Sequence, residues 1–314
     1  MRVARTIAEA SDFEPSAVTI GNFDGVHAGH QHLFREVVRV ARERGLRATV
    51  LTFDPHPSSV VAPERTPRLL TTHQERCELL REIGIEQVLI LPFTMETARL
   101  SPEEFVQRIL VDVLHAKAVL VGDNFRFGHK QAGNTKTLSE LGEKYGYQTR
   151  IVEAVKFRGR VVSSSEIRHL IECGDVARAC RCLNRPYAIS GDVVSGYGIG
   201  AKQTVPTLNL RWSAELLPRP GVYITRTRNG RLWNSITNVG HRPTFGGDPQ
   251  LTVETFLLDP LEGSAPERIR VEFLRRVRDE RKFENPEALK TQILKDVARA
   301  QAFFRRSKRW IRRP

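Results

Sequence analysis

The run Gly21-Asn22-Phe23-Asp24-Gly25-Val26-His27-Ala28-Gly29-His30 puts two imidazoles three positions apart behind a stretch of small residues. Small side chains let the backbone close on a phosphate group, and the unpaired N–H groups at a helix start attract negative charge. Histidines at i and i+3 near such a start can turn both rings toward one phosphate. The chemistry this suits is binding the phosphates of a nucleotide. Taken alone, the segment is equally a glycine turn with two solvent-facing histidines.

A second segment, Ser195-Gly196-Tyr197-Gly198-Ile199-Gly200-Ala201-Lys202, runs on through Thr204-Val205-Pro206 to Thr207-Leu208-Asn209. Its spaced glycines suggest a dinucleotide fingerprint, but Pro206 and β-branched residues follow where that motif needs a helix. The dinucleotide reading fails. Amides that can wrap a polyphosphate, a nearby lysine, and a hydroxyl with an amide oxygen able to ligate Mg²⁺ still make a coherent phosphate site. Without its neighbours, the same stretch is more often a mobile hairpin.

Regular elements must position these groups. Val18 to Ile20, Ala48 to Phe53, Val88 to Leu91, Ala118 to Val121 and Thr149 to Val152 read as short buried strands. Leu33, Val37, Val40 and Ala41 recur at helical spacing after His30, as do Leu79, Leu80 and Ile83 after Glu75. Ser101-Pro102-Glu103-Glu104 supplies a cap, a first-turn proline and a capping-box glutamate ahead of Phe105, Ile109 and Val113. Strand and helix in alternation predict a parallel sheet covered on both faces, an α/β domain. The histidine segment then falls beyond the carboxyl end of the first strand, where open α/β sheets bind nucleotides.

Helices over Ser165 to Cys173 and Asp175 to Leu183 close this half, and the expected boundary lies near residue 185, giving domains 1–185 and 186–314. Beyond it, Ala188 to Val194, Val222 to Arg226, Ser235 to Val239 and Leu251 to Leu258 alternate with glycine- and proline-rich turns, predicting an antiparallel barrel or sandwich. A last helix starts at the Asn285 cap with Pro286 and carries Leu289, Ile293, Val297 and Phe304 on one side.

The 314 residues suit two domains, and 40% hydrophobic with 27% charged residues excludes a disordered or collagen-like chain. No apolar run approaches the ~20 residues that cross a bilayer. Met1 to Arg5 leads into Glu9, Asp12 and Glu14 and not into an apolar signal core, so a cytoplasmic location is expected. The net charge of +13 raises the question of nucleic acid, but six of the positive charges sit in the last ten residues, leaving +7 elsewhere. That tail is expected to be a solvated end. Cys77, Cys173, Cys180 and Cys182 lack zinc-ligand spacing and read as reduced structural thiols.

The first segment resembles the H-x-G-H signature of the nucleotidyltransferase superfamily, whose members transfer a nucleotidyl group and release pyrophosphate. Thr52-Phe53-Asp54-Pro55-His56-Pro57, Val121 through Gly128 and Arg160 through Arg168 follow it in the order seen in the bacterial bifunctional riboflavin kinase/FAD synthetase family. Pro206-Thr207-Leu208-Asn209 is similar to the P-T-A-N motif of riboflavin kinases, and Pro220 through Tyr223, Asn238 through Phe245 and Val253 through Asp259 continue that likeness. It spans roughly Val18 to Phe304.

The resemblance implies an N-terminal Rossmann-like nucleotidyltransferase domain with a parallel sheet and a C-terminal six-stranded antiparallel β-barrel with a terminal helix. ATP would phosphorylate riboflavin to FMN, then adenylylate FMN to FAD, with Mg²⁺ serving both steps. On the same grounds His27 and His30 bind the ATP phosphates and stabilise the transition state. Gly21, Asn22, Phe23, Asp24, Gly29, Arg160, Ser163, Ser164 and Arg168 complete that nucleotide site, and Asn124, Phe125 and Phe127 receive FMN. In the barrel, Gly196, Gly198, Gly200 and Lys202 cradle ATP, Thr207 and Asn209 hold the metal, and Glu254 is the general base for the riboflavin 5′-hydroxyl. A base is needed there because an alcohol must lose its proton as it attacks, whereas the FMN phosphate is already ionised.

The sequence also departs from the family. Ser165 stands where threonine is usual and Glu166 where a basic residue is frequent, while Thr204-Val205 replaces Gly-Phe and Leu208 replaces alanine. Losing a glycine removes access to positive φ beside the nucleotide loop. An FAD synthetase whose barrel only binds flavin therefore stays open as an alternative. A nucleic-acid-binding protein is the remoter one, opposed by the 7% aromatic content and the absence of a binding motif.

Overall fold

The computed structural model describes residues 1–194, 207–244, 247–261 and 264–307, without the side chains of 242–250 and 307. Gly196, Gly198, Gly200, Lys202, the Thr204-Val205 pair and the basic tail from Lys308 onward lie outside the described residues. The chain packs as two compact units, Met1–Ser164 and Ser165–Pro314.

The first unit is built on six parallel strands: β1 (Arg2–Ala4), β2 (Ser16–Ile20), β3 (Arg47–Asp54), β4 (Gln87–Pro92), β5 (Ala116–Gly122) and β6 (Gln148–Val152). Their spatial order is β1-β4-β3-β2-β5-β6. Ser16–Ile20 is buried along its whole length, as a central strand covered on both faces requires. The chain winds outward from β2 through β3 and β4, then returns to place β5 on β2's other side. This reversal makes β2/β5 the topological switch point, beyond whose carboxyl ends such sheets open a crevice.

The helices of this unit are α1 (Ala28–Arg44), α2 (Pro57–Val61), α3 (His73–Ile83), α4 (Met95–Arg99), α5 (Pro102–Phe105) and α6 (Thr135–Tyr145). The expected stripe of α1 is buried at Leu33, Val37, Val40 and Ala41. Gly45 ends that helix at φ 65°, a conformation an L side chain resists. The Ser101/Glu104 capping box forms as predicted. Past Phe105 the helix continues as a π-helix over Val106–Val111, and the wider turn helps keep Val106, Ile109, Leu110 and Leu114 all in the core. A small hairpin, β7 (Lys156–Phe157) with β8 (Arg160–Val161), follows β6.

The second unit takes in α7 (Ser164–Glu172) from Ser165 onward and α8 (Val176–Leu183), the latter packing on the barrel. Six strands then close a barrel: β9 (Tyr187–Val194), β10 (Thr207–Trp212), β11 (Gly221–Asn229), β12 (Arg231–Thr244), β13 (Gly247–Leu257) and β14 (Arg268–Asp279). They run β10-β13-β12-β11-β14-β9 around the barrel, all antiparallel. The terminal helix α9 (Pro286–Ser307) lays Ala300 and Phe304 on Val222, Ile224 and Ile236. Its first half docks through polar groups: Asp296 accepts from Arg278 Nε at 2.8 Å and from Gln292 Nε2 at 2.7 Å.

The barrel interior contains an unbroken line of hydroxyls. Thr227, Ser235, Thr225, Thr237 and Thr255 bond in that order at 2.9, 2.8, 2.8 and 2.9 Å, all without solvent exposure. Each hydroxyl has one proton and two acceptor lone pairs, so the five protons of the line cover its four bonds with one to spare. Thr225→Val removes the central link and leaves Ser235 and Thr237 each short of a partner, which should cost about 2–4 kcal/mol. Urea unfolding followed by the fluorescence of buried Trp233 measures it. A loss below ~1 kcal/mol would mean that the stranded hydroxyls find other acceptors.

Candidate active sites

In the first unit, His27 is the N-cap of α1, its Nδ1 accepting the His30 N–H at 3.3 Å. The cap fixes the tautomer, because an accepting Nδ1 leaves the proton of the neutral ring on Nε2. The His27 and His30 rings stack 3.6 Å apart with 20° between their planes. Phe23 meets His30 edge-on at 5.2 Å and is itself backed by Phe34. A Cβ at Gly29 would lie 3.1 Å from His27 Cε1, so only glycine at that position leaves the stacked ring in place.

Burial, then the facing His27 ring and then the Arg76 cation hold His30 well below the ordinary imidazole range. His30 is thus held as a neutral ring beside His27. The depressed His30 fixes the sign of a pH effect. The unfolded chain binds a proton there near 6.5, whereas the folded protein binds it only at lower pH. Stability of this unit is therefore full above about pH 6.5, is lost as pH falls from there toward the folded value, and then levels off. Thermal unfolding scanned from about pH 8 to about pH 5 should show this fall in the native protein and a shallower one in His30→Gln. Parallel profiles would remove His30 as its cause.

Asp24, expected among the nucleotide-binding residues, is turned inward and 2% exposed. Its carboxylate accepts the Leu70 N–H at 3.0 Å, the Thr71 N–H at 3.1 Å and the Thr71 hydroxyl at 3.2 Å. Beside it lies Arg76, 3% exposed, with Nη2 3.8 Å from Asp24 Oδ1. Sequence reasoning passed over this arginine. The available signal was its place at i, i+4, i+7 with Leu80 and Ile83, a position that should be apolar on a core-facing helix.

The segment after β8 comes to the same loop. The Ser164 hydroxyl donates to the Asp24 carbonyl at 2.9 Å, and the Val162 carbonyl lies 3.7 Å from where a Gly29 Cβ would be. Arg160 is exposed on β8, Ser163 is half-buried, and Arg168 belongs to the second compact unit.

At the β2/β5 switch point opens a cleft of about 780 Å³ lined by Gly21 and Asn22 just after β2 and by Asn124, Phe125 and Phe127 after β5. Phe125 and Phe127 stack at 5.5 Å, and Phe53, Phe93 and Phe105 extend the apolar wall. Among the described residues no carboxylate lines the cleft, whereas Arg99, Arg126 and Lys130 do, so a flat apolar ring carrying an anionic tail suits it. Asn124, Phe125 and Phe127 were legible in the sequence; the opposing wall of Phe53 and Phe93 and the cations were not.

In the barrel, Asn209 on β10 pairs with Glu254 on β13, which pairs in turn with Asn238 on β12. Residues directly opposite across strands share a face, so two amides flank the carboxylate in one row. Thr207, two residues before Asn209, is on the same face and exposed. Among the described residues no group of three or more His, Cys, Asp or Glu could hold a metal ion. A hydroxyl and an amide oxygen nevertheless fit Mg²⁺, which takes few protein ligands when phosphate oxygens and water supply the rest.

A helix start bearing two stacked imidazoles at the switch point of a parallel sheet, and a carboxylate between amide side chains on a closed barrel, suit a two-module transferase acting on nucleotides. Residues 9–166 match the FAD synthetase family and residues 183–304 the riboflavin kinase family. The chain belongs to the bifunctional riboflavin kinase/FMN adenylyltransferase family. Proteins of that name from Pseudomonas fluorescens and Escherichia coli K12 are 36% and 33% identical to it, the first over 90% of this chain and 91% of its own, the second over 93% of each. A Streptococcus pneumoniae crystal structure titled a macrolide-efflux protein superposes with a TM-score of 0.83 at 27% identity, covering 96% of this chain and 98% of that one. Among the described residues no helix is long and apolar enough to cross a membrane.

Proposed function

We propose that the chain makes FAD from riboflavin in two ATP-dependent steps, riboflavin phosphorylation by residues 186–314 and FMN adenylylation by residues 1–185. The observation that carries this reading is the pair of separate sites, each with the groups its own reaction needs. In the first, FMN enters the aromatic cleft and its phosphate attacks the α-phosphorus of ATP in line, releasing pyrophosphate. The stacked His27 and His30 donate hydrogen bonds to phosphate oxygens as charge builds on the leaving group. Arg160, Ser163 and Ser164 hold the nucleotide. No base is required.

In the second, Glu254 takes the proton of the riboflavin 5′-hydroxyl as that oxygen attacks the γ-phosphorus, giving FMN and ADP. Thr207 and Asn209 would hold the metal of ATP. Magnesium, when bound, neutralises phosphate charge at both sites. The four free cysteines and the ATP dependence support a cytoplasmic setting.

The test is to supply riboflavin and Mg-ATP to the purified chain and resolve the products by chromatography. FMN should appear first and FAD after it. FAD from supplied FMN with no FMN from riboflavin would reduce the barrel to a flavin-binding module. Neither product from either flavin would overturn the proposal.

A further inference from the structure

We infer that Arg76 is a positioning residue for FMN adenylylation: with Asp24 it clamps the loop between β2 and α1 from below, so that His27 and His30 are presented together to the triphosphate. The inference rests on the reading of the first site given above. A guanidinium on the buried stripe of α3 is an unexpected choice for stability alone, because an apolar side chain of similar volume there, with a neutral partner, is often as stable or more so.

The contacts of Arg76 lead to the loop by two routes. Nη1 donates to Thr52 Oγ1 at 3.4 Å, and the Thr52 hydroxyl donates to the Asn22 carbonyl at 3.2 Å. Nη2 faces the Asp24 carboxylate, which binds Thr71, whose hydroxyl oxygen accepts the Gly25 N–H at 3.0 Å. The backbone is thereby fixed at Asn22 and Gly25 and through the side chain of Asp24.

What these ties hold is a loop that would not keep its shape unaided. Phe23 and Val26 take φ values of 50° and 40°, in the left-handed region that a β-branched residue such as valine strongly disfavours. Such conformations persist only where the surroundings over-determine them. Val26 leads directly into the His27 cap, and its carbonyl accepts from Gln31 Nε2 at 2.8 Å on the first turn of α1. Relaxation at Phe23 or Val26 therefore moves the stacked imidazoles. The groups facing His30 are His27, Phe23, Phe34 and Arg76, and Arg76 is the only permanent cation among them.

The barrel activity of the same polypeptide supplies the folding control. Three full-length variants are compared: Arg76→Met, the charge-balanced pair Asp24→Asn/Arg76→Met, and Arg76→Lys. In both methionine variants, kcat for FMN adenylylation should fall roughly 100-fold with KM for FMN and ATP within about threefold, the pattern of an interaction realised in the transition state. Riboflavin phosphorylation should stay within about twofold, and Arg76→Lys should regain about tenfold of the lost rate. Adenylylation by the double variant within about threefold of the native rate would overturn the inference while leaving the reaction assignment standing. Loss of both activities together in both methionine variants would also overturn it, making the pair a requirement for folding. A native protein that makes no FAD would sink the reaction assignment itself.

Discussion

His30→Ala is expected to lower FAD formation from FMN by about 10²–10³-fold while FMN formation from riboflavin stays within about twofold. The magnitude is that of removing one preorganised donor aimed at developing charge. The His30 ring is fixed on one face by His27 at 3.6 Å and on its edge by Phe23 at 5.2 Å. Little orientational freedom is left to lose when charge appears on the phosphate, which is why the group should matter more in the transition state than in the ground state. A truncation to alanine leaves the His27 cap intact, because that bond uses the backbone N–H of residue 30 and not its ring. Initial rates of both half-reactions on one preparation measure the effect. Adenylylation at the native rate would show that the stacked pair has no part in it.

The contrast between what was legible in the sequence and what was not follows the range of the interactions. The histidine segment could be recognised because its chemical groups are contiguous and its helix carries a regular stripe from Leu33 to Ala41. The β-barrel was foreshadowed by strands with turn residues between them, and its closure came from resemblance to a family. By contrast, β1 has three residues and owes its existence to pairing with β4, too short a stretch for any period to emerge. The π-helix over Val106–Val111 follows a capping box that correctly announced a helix, but the widening of the turn answers to core packing that a sequence period does not encode. Asp24 looked like a phosphate-loop residue because of its neighbours. Its inward turn depends on the Leu70–Thr71 backbone, more than forty positions away.

The same reasoning explains α7 and α8. In sequence they follow a strand of the sheet and precede Asn184-Arg185-Pro186, so a boundary near residue 185 is the natural expectation. In space α8 packs on β14 and β9, so the pair goes with the barrel. The two family matches end at 166 and resume at 183, which leaves these helices between them.

Glu254→Gln is expected to do the reverse of His30→Ala, cutting riboflavin phosphorylation by about 10²–10⁴-fold and sparing the conversion of supplied FMN to FAD. Glutamine keeps the length of the side chain and its place opposite Asn209 and Asn238 on either side. It cannot accept a proton at neutral pH. The substitution therefore separates proton acceptance from position, which a truncation to alanine would not. Because Glu254 points away from the interior that holds Thr237 and Thr255, the buried hydroxyl line should survive and the barrel should unfold at the native urea concentration. A large fall in phosphorylation with an unmoved unfolding midpoint would then belong to chemistry and not to folding. Phosphorylation within about tenfold of the native rate would make Glu254 one more half-buried residue on a strand face, with the 5′-hydroxyl proton leaving by another route.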